Sequence, residues 1–245
     1  MNKNIIYKLI LVYDGANYYG YQKQPNLITI QSVLENALFK VTKRKIKTIA
    51  ASRTDKGVHS EGQVVSFQTD FRIPPYNLKK ALNKIISQDI LVLDICICDF
   101  PFHARYNSKS KIYRYVFSKK KLNPFNCRFQ VYFEKLNFSL IKEAIHLLEG
   151  QKDFVLFTNN KDKKKNTIKT IYKVFVEENE NQFVIFFHGK GFLKQMILLL
   201  VGFLINIAQG KKTLSELENM FLIKNNKKFT FIAPSNGLFL KNIFY

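Results

Sequence analysis

Lys47-Thr48-Ile49-Ala50-Ala51-Ser52-Arg53-Thr54-Asp55-Lys56-Gly57-Val58-His59, with Gly62-Gln63-Val64-Val65-Ser66-Phe67 close behind, is a charged loop held between two apolar runs. The flanking runs read as strands over Lys47–Ser52 and about Gly62–Thr69. A lone aspartate in such a turn is usually a turn residue. Here Asp55 sits between two cations, Arg53 and Lys56, which favour its charged form. Its place at a strand-to-strand crossing makes it a candidate reactive carboxylate.

Upstream, Ile5 to Val12 is apolar at nearly every position and reads as a strand buried on both faces. Tyr13-Asp14-Gly15 signals a turn. A loop rich in Tyr18, Tyr19, Tyr21, Gln22, Lys23 and Gln24 follows, suited equally to stacking on bases, holding phosphates or simple packing. Thr29 is placed to cap a helix whose one face carries Ile30, Val33, Leu34, Ala37, Leu38 and Val41. Downstream, a second helix begins near Asn77, with Leu78, Ala81, Leu82, Ile85 and Ile86 inward, and Ile90–Cys98 reads as another strand. The order is βαββαβ, a ferredoxin-like unit.

Phe100 to Ser108, with Pro101 and a polar run, reads as a boundary, giving domains of residues 1–104 and 105–245. Ser110–Ser118 alternates as a strand, with Tyr113, Tyr115 and Phe117 on one face. Ser139 reads as the cap of a helix through Leu148, closed by Gly150. Thr167–Glu178 and Gln182–His188 form a hairpin. A long apolar helix spans Phe192–Ala208, Thr213-Leu214-Ser215-Glu216 is a capping box, and Leu238–Tyr245 is a last strand. The class is therefore α+β.

The 245 residues carry 39 Lys+Arg against 18 Asp+Glu, a formal charge of +21. That excess points to a polyanionic partner, nucleic acid before membrane. Most of it is lysine, a diffuse phosphate field; the few arginines merit individual roles. Lys119–Lys121, Lys161–Lys165 and Lys224–Lys228 suggest a phosphate-tracking rim. Cys96, Cys98 and Cys127 read as reduced, buried, small hydrophobes of a cytoplasmic protein. No signal peptide is visible, the apolar stretch 192–208 is too short to span a bilayer comfortably, and the four histidines show no metal-ligand spacing.

Arg53-Thr54-Asp55-Lys56-Gly57-Val58-His59 resembles the G-R-T-D-x-G-V-H motif of the tRNA pseudouridine synthase A family, with Ser52 in place of the glycine. The resemblance runs along essentially the whole chain. Tyr13-Asp14-Gly15 and Tyr19-Gly20-Tyr21-Gln22-Lys23-Gln24 match Y-D-G and G-W/F-Q-x-Q. Phe102-His103-Ala104-Arg105 matches F-x-A-R, and Lys111-Ile112-Tyr113-Arg114-Tyr115 matches K/R-x-Y-x-Y. Gly191-Phe192-Leu193 with Met196 matches the start of the last large helix, and Ala233-Pro234 with Gly237-Leu238 matches A-P-x-x-G-L.

The resemblance implies two ferredoxin-like α/β subdomains whose antiparallel sheets join into one central sheet, with the active-site cleft between them. It implies isomerisation of uridine to pseudouridine in the tRNA anticodon stem-loop, at tRNA positions 38, 39 and 40. It implies no metal or cofactor, no membrane, and a homodimer whose C-terminal domain completes the site. Asp55 would be the nucleophile and Tyr113 the active-site tyrosine. Arg53, Lys56, His59, Gln22, Lys23, Arg105 and Lys194 would contact RNA.

One position departs from the pattern. The family's helix reads F-L-x-x-M-V-R, and Leu198 stands where that arginine would pair with the catalytic aspartate. On a helix from Phe192, Lys194 would share the face of Leu198, so Lys194 or Arg53 is expected to supply the charge. The alternative is a weakened or silent tRNA-binding or RNA-chaperone protein on the same fold. A ferredoxin-like RNA binder of the RRM type is disfavoured by the lack of an RNP1 pattern.

Overall fold

The computed structural model describes residues 5–159, 166–222 and 227–245. In chain order the elements are β1 (Ile5–Tyr13), α1 (Ile30–Thr42), β2 (Ile49–Ala50), β3 (His59–Thr69), α2 (Pro75–Ile85) and β4 (Ile90–Cys98). Then come β5 (Ser110–Ser118), α3 (Phe138–Ala144), β6 (Gly150–Asp153), β7 (Ile168–Glu178), β8 (Gln182–Gly189), α4 (Met196–Ala208), α5 (Leu214–Leu222) and β9 (Leu238–Phe244). The class is α+β, as the sequence suggests. Two compact units form: one runs up to Lys109 and takes back Phe239–Tyr245, and the other is Ser110–Leu238.

In the first unit the strand order is β4-β1-β3-β9, with β2 also on β3. β1 lies antiparallel to β3 (Leu9 opposite Val65) and to β4 (Leu9 opposite Ile95). β9 returns parallel to the start of β3, with His59 opposite Phe239. Alternation sends Tyr7, Leu9, Leu11 and Tyr13 to one face, where Leu34 and Leu38 of α1 and Leu78 and Leu82 of α2 complete the core. β1 is thus fully buried on one face only. Ile6, Lys8, Ile10 and Val12 on the other face are half-buried, because both helices lie on the opposite side. Thr29 caps α1 as expected, its hydroxyl accepting from Ser32 N at 3.2 Å.

In the second unit β5, β8, β7 and β6 are antiparallel neighbours in that order. Phe117, Phe183 and Phe138 pack together, the last two stacked at 4.4 Å. α4 is buried at every position but Asn206, as a helix apolar all round must be. It starts at Met196 rather than Phe192, because Gln195 takes a left-handed φ of 58°. α3 is capped by Asn137, not Ser139: the Asn137 side chain accepts from Ser139 N, and a short 3₁₀ turn continues to Leu148. The Thr213–Glu216 capping box forms in both directions.

The cysteines are not buried. Cys96 and Cys127 are exposed and Cys98 is intermediate, since Cys96 and Cys98 fall on the face of β4 that no helix covers. Among the described residues no helix is long and apolar enough to cross a membrane. The runs Lys161–Lys165 and Lys224–Asn226 lie outside the described residues.

Candidate active site

The Asp55 loop is fixed by the chain that follows β1. Tyr21 N donates to Thr54 O at 3.0 Å, and Gly57 N donates to Tyr18 O at 3.3 Å. These bonds bring two backbones into contact, and two glycines allow it. A methyl at Gly15 would sit 2.0 Å from Val58 O, and one at Gly20 would sit 2.7 Å from Thr54 O. Gly20 also has φ +86°, where side chains are rarely tolerated.

Side chains lock the same loop from below. The Tyr13 hydroxyl lies 2.8 Å from Thr54 Oγ1. Gln63, fully buried on β3, donates through Nε2 to Ser52 O (2.7 Å) and to the Tyr13 hydroxyl (3.3 Å). Its Oε1 accepts from Ser52 N at 3.1 Å. Burial pushes the Tyr13 hydroxyl up to about 12, so it remains a neutral donor and acceptor. Each such bond contributes roughly 1 kcal/mol, and leaving a partner unsatisfied costs more. Asp55 is therefore offered from a rigid backbone, half-buried, with its neighbours Thr54 and Gly57 buried.

The two flanking cations point outward. Arg53 is exposed and makes no ion pair among the described residues. Lys56 lies over the Tyr19 ring at 4.3 Å, a cation–π contact on the loop's outer side. Gln22 and Lys23 are exposed, and Lys23 Nζ is 3.5 Å from Glu35. Arg105 is exposed, its guanidinium 6.0 Å from the Tyr106 ring.

His59 does not reach the surface. It is 1% exposed and stacked on Phe239 at 4.7 Å. Its Nδ1 faces both Asp14 Oδ1 (3.0 Å) and Gly15 N (3.1 Å). One nitrogen cannot donate to the first and accept from the second at once. The carboxylate, a charged acceptor, favours the protonated nitrogen. His59 is thus a strut between the two contacting backbones, too deeply buried to make the expected RNA contact.

In the second unit, Tyr113 stands on β5 opposite Phe187, 6% exposed and edge-on to Phe192 at 5.3 Å. Lys194 is exposed and precedes α4; its carbonyl accepts from Thr158 Oγ1 at 3.0 Å. It is not on the helix, so it does not share a helical face with Leu198 and is not placed there as a counter-charge. Leu198 is 2% exposed, and its carbonyl accepts from Ala233 N at 3.0 Å. Among the described residues no cluster of three or more His, Cys, Asp or Glu could hold a metal ion.

Tyr13 and Gly15, legible as a turn, and Gly20, legible only through the family motif, shape the site by contacts with the Asp55 loop that residue patterns do not show, and Gln63 is a site-shaping residue that they do not single out. Gln63 offered one signal, a lone amide within an apolar strand. A carboxylate held by its backbone, two residues from an exposed guanidinium in sequence, can act as a nucleophile toward an electrophilic carbon.

A family profile described as tRNA pseudouridine synthase matches residues 9–107 and 144–245. A protein of Phytoplasma mali named tRNA pseudouridine synthase A is 54% identical over 99% of this chain and 100% of its own length. One of the same name from Onion yellows phytoplasma is 49% identical over 99% and 100%. Another from Lacticaseibacillus casei is 36% identical over 98% and 99%.

Proposed function

The chain belongs to the tRNA pseudouridine synthase A family, isomerases that turn uridine into pseudouridine in tRNA, and from that premise we propose its target and its chemistry. The target is the anticodon stem-loop, at tRNA positions 38, 39 and 40. The observation that carries the reading is the Asp55 loop: the family's heptapeptide, pinned at Thr54 and Gly57 by backbone bonds, leaves only Arg53, Asp55 and Lys56 with accessible side chains.

The uridine leaves its stack, as a base must for chemistry on it. Ionised Asp55 attacks it, at the sugar C1′ or on the base. The N1–C1′ bond breaks, the uracil turns, and a C5–C1′ bond forms. The C5 proton leaves, N1 ends protonated, and the bond to Asp55 is released, so the net change is an isomerisation. Tyr113 stacks on the base and assists the proton's departure. Arg53, a free fork of donors, enters the space the base vacates and holds its phosphate. Lys56, Gln22, Lys23, Arg105 and Lys194 hold the surrounding RNA backbone. The active form is a homodimer, with one tRNA touching both copies.

The test is pseudouridine mapping on unmodified tRNA. Conversion confined to positions 38, 39 and 40 is expected; conversion elsewhere only would overturn the target. Light scattering at about twice the chain mass is expected for the dimer. The silent-binder alternative gains no support from any observation.

A further inference from the structure

An open groove of about 1170 Å³ runs across the first unit, between the end of α1, the segment leading into β2 and the Pro101–His103 segment. None of residues 52–59 lines it. It exceeds the ~300–1,000 Å³ usual for small-molecule sites, which suits a length of polymer.

Its apolar surface includes Phe39, 45% exposed, and Ile49, 39% exposed, above a floor to which the buried Phe102 contributes. Exposed aromatic faces are platforms on which bases of any identity stack. Its rim is basic. Lys45 and Lys47 are exposed while Ile46 and Thr48 between and beyond them are buried, so the two lysines share one side, their Cα atoms about 7 Å apart if the chain is extended. Neither faces a carboxylate among the described residues. Lys40 and Lys43 continue the positive charge, Arg44 being paired with Asp70 at 3.8 Å, and residues 40–47 contain no acidic side chain.

The lining carboxylate, Glu35, is already engaged. Its Oε1 accepts from Thr48 N (3.0 Å), Thr48 Oγ1 (3.1 Å) and Gln31 Nε2 (3.0 Å), and its Oε2 faces Lys23. It braces the wall and does not repel an anion. On the far wall, His103 Nδ1 accepts from Arg105 N (3.2 Å) and Tyr106 N (3.1 Å), so in the neutral ring Nε2 carries the proton and donates. A second copy of a chain with net charge +21 is a poor occupant of a basic groove.

We propose that this groove holds an unpaired stretch of the substrate tRNA other than the nucleotide attacked by Asp55. Bases lie against Phe39, and phosphates lie along Lys45 and Lys47. The proposal rests on the reading of the chain as a tRNA enzyme. It makes full-length tRNA a better ligand than the isolated anticodon stem-loop.

The experiment measures the affinity of parent, Lys45→Ala/Lys47→Ala and Phe39→Ala proteins for unmodified full-length tRNA and for the isolated stem-loop, from about 50 to about 200 mM salt. Two phosphates released from single-stranded RNA change the slope of log K against log salt by about 1.4. The parent should therefore lose about 7-fold more affinity for full-length tRNA across that range than the double-lysine variant. Phe39→Ala should weaken full-length binding about 5-fold or more at every salt, with the slope kept. Stem-loop binding and conversion should stay at the parent level in both. Equal slopes and affinities for full-length tRNA overturn the proposal, as does a change of oligomeric mass in the variants, which would seat a second copy in the groove. If the parent binds tRNA but forms no pseudouridine, the isomerase reading fails, and the slopes still decide the groove.

Discussion

Gly15→Ala isolates the backbone contact that holds the candidate nucleophile. The added methyl would lie 2.0 Å from Val58 O and 2.6 Å from Val58 C, where real contacts do not fall below 3.0 Å. The two segments must therefore part by about 1 Å. The obstruction is backbone, so no side chain can swing away. Val58 N donates to Asp55 O at 3.2 Å, so the displacement passes directly to the Asp55 turn. A shift of ~1 Å in a reacting group lowers kcat by about 10²-fold. Overpacking of this kind costs about 1–3 kcal/mol, which for a chain of this size lowers Tm by roughly 2–12 °C. Gly20→Ala should do less through contact, at 2.7 Å from Thr54 O, but adds about 1–2 kcal/mol for a side chain at φ +86°. Single-turnover pseudouridine formation on unmodified tRNA, with thermal unfolding in parallel, reads both. Parent kcat and parent Tm in Gly15→Ala would refute the claim that this contact positions Asp55.

Three further outcomes are expected. Tyr13 has its folded pKa raised to about 12 from 10.0, so its stabilisation is complete below pH 10 and lost as pH rises toward 12; Tyr13→Phe should flatten that alkaline loss in a denaturation series and cost about 1 kcal/mol at neutral pH through the lost Thr54 bond. Leu198→Arg puts a cation at a 2% exposed site; left unpaired there it costs about 3–5 kcal/mol and lowers Tm by roughly 6–20 °C, whereas a variant with parent Tm and faster conversion would show that the cation pairs with the catalytic carboxylate. Lys119 and Lys142 hold the Glu178 carboxyl below its usual range, so its stabilisation is present above that usual value and lost as pH falls through the lowered one; Tm of Glu178→Gln should vary less than the parent's between about pH 3 and 5.

The element order was legible because apolar period decided it. Tyr7, Leu9, Leu11 and Tyr13 alternate, and Ile30, Leu34, Ala37 and Leu38 repeat at helical spacing. Ends were less legible, because they depend on single dihedrals. Gln195 in the left-handed region starts α4 four residues later than apolarity suggests, and Asn137 outcompetes Ser139 as a cap. Exposure was misjudged where one face of a sheet lacks a covering helix, hence the half-buried Ile10 and the exposed Cys96. At the site, charge and position singled out Asp55. What fixes it is the Gly15–Val58 and Gly20–Thr54 approaches, between segments about 40 residues apart, and the Gln63 amide, which reaches back 11 residues to Ser52. No local pattern encodes that proximity, and His59 looked like a contact residue for the same reason.

The central claim is that the Asp55 carboxylate attacks the uridine. Asp55→Asn keeps the shape and removes the charge, so the most direct test is its single-turnover rate on unmodified tRNA, with tRNA affinity measured alongside. tRNA binding close to the parent's and a rate lower by roughly 10⁴-fold or more are expected. Pseudouridine formed by Asp55→Asn at a rate near the parent's would contradict the claim.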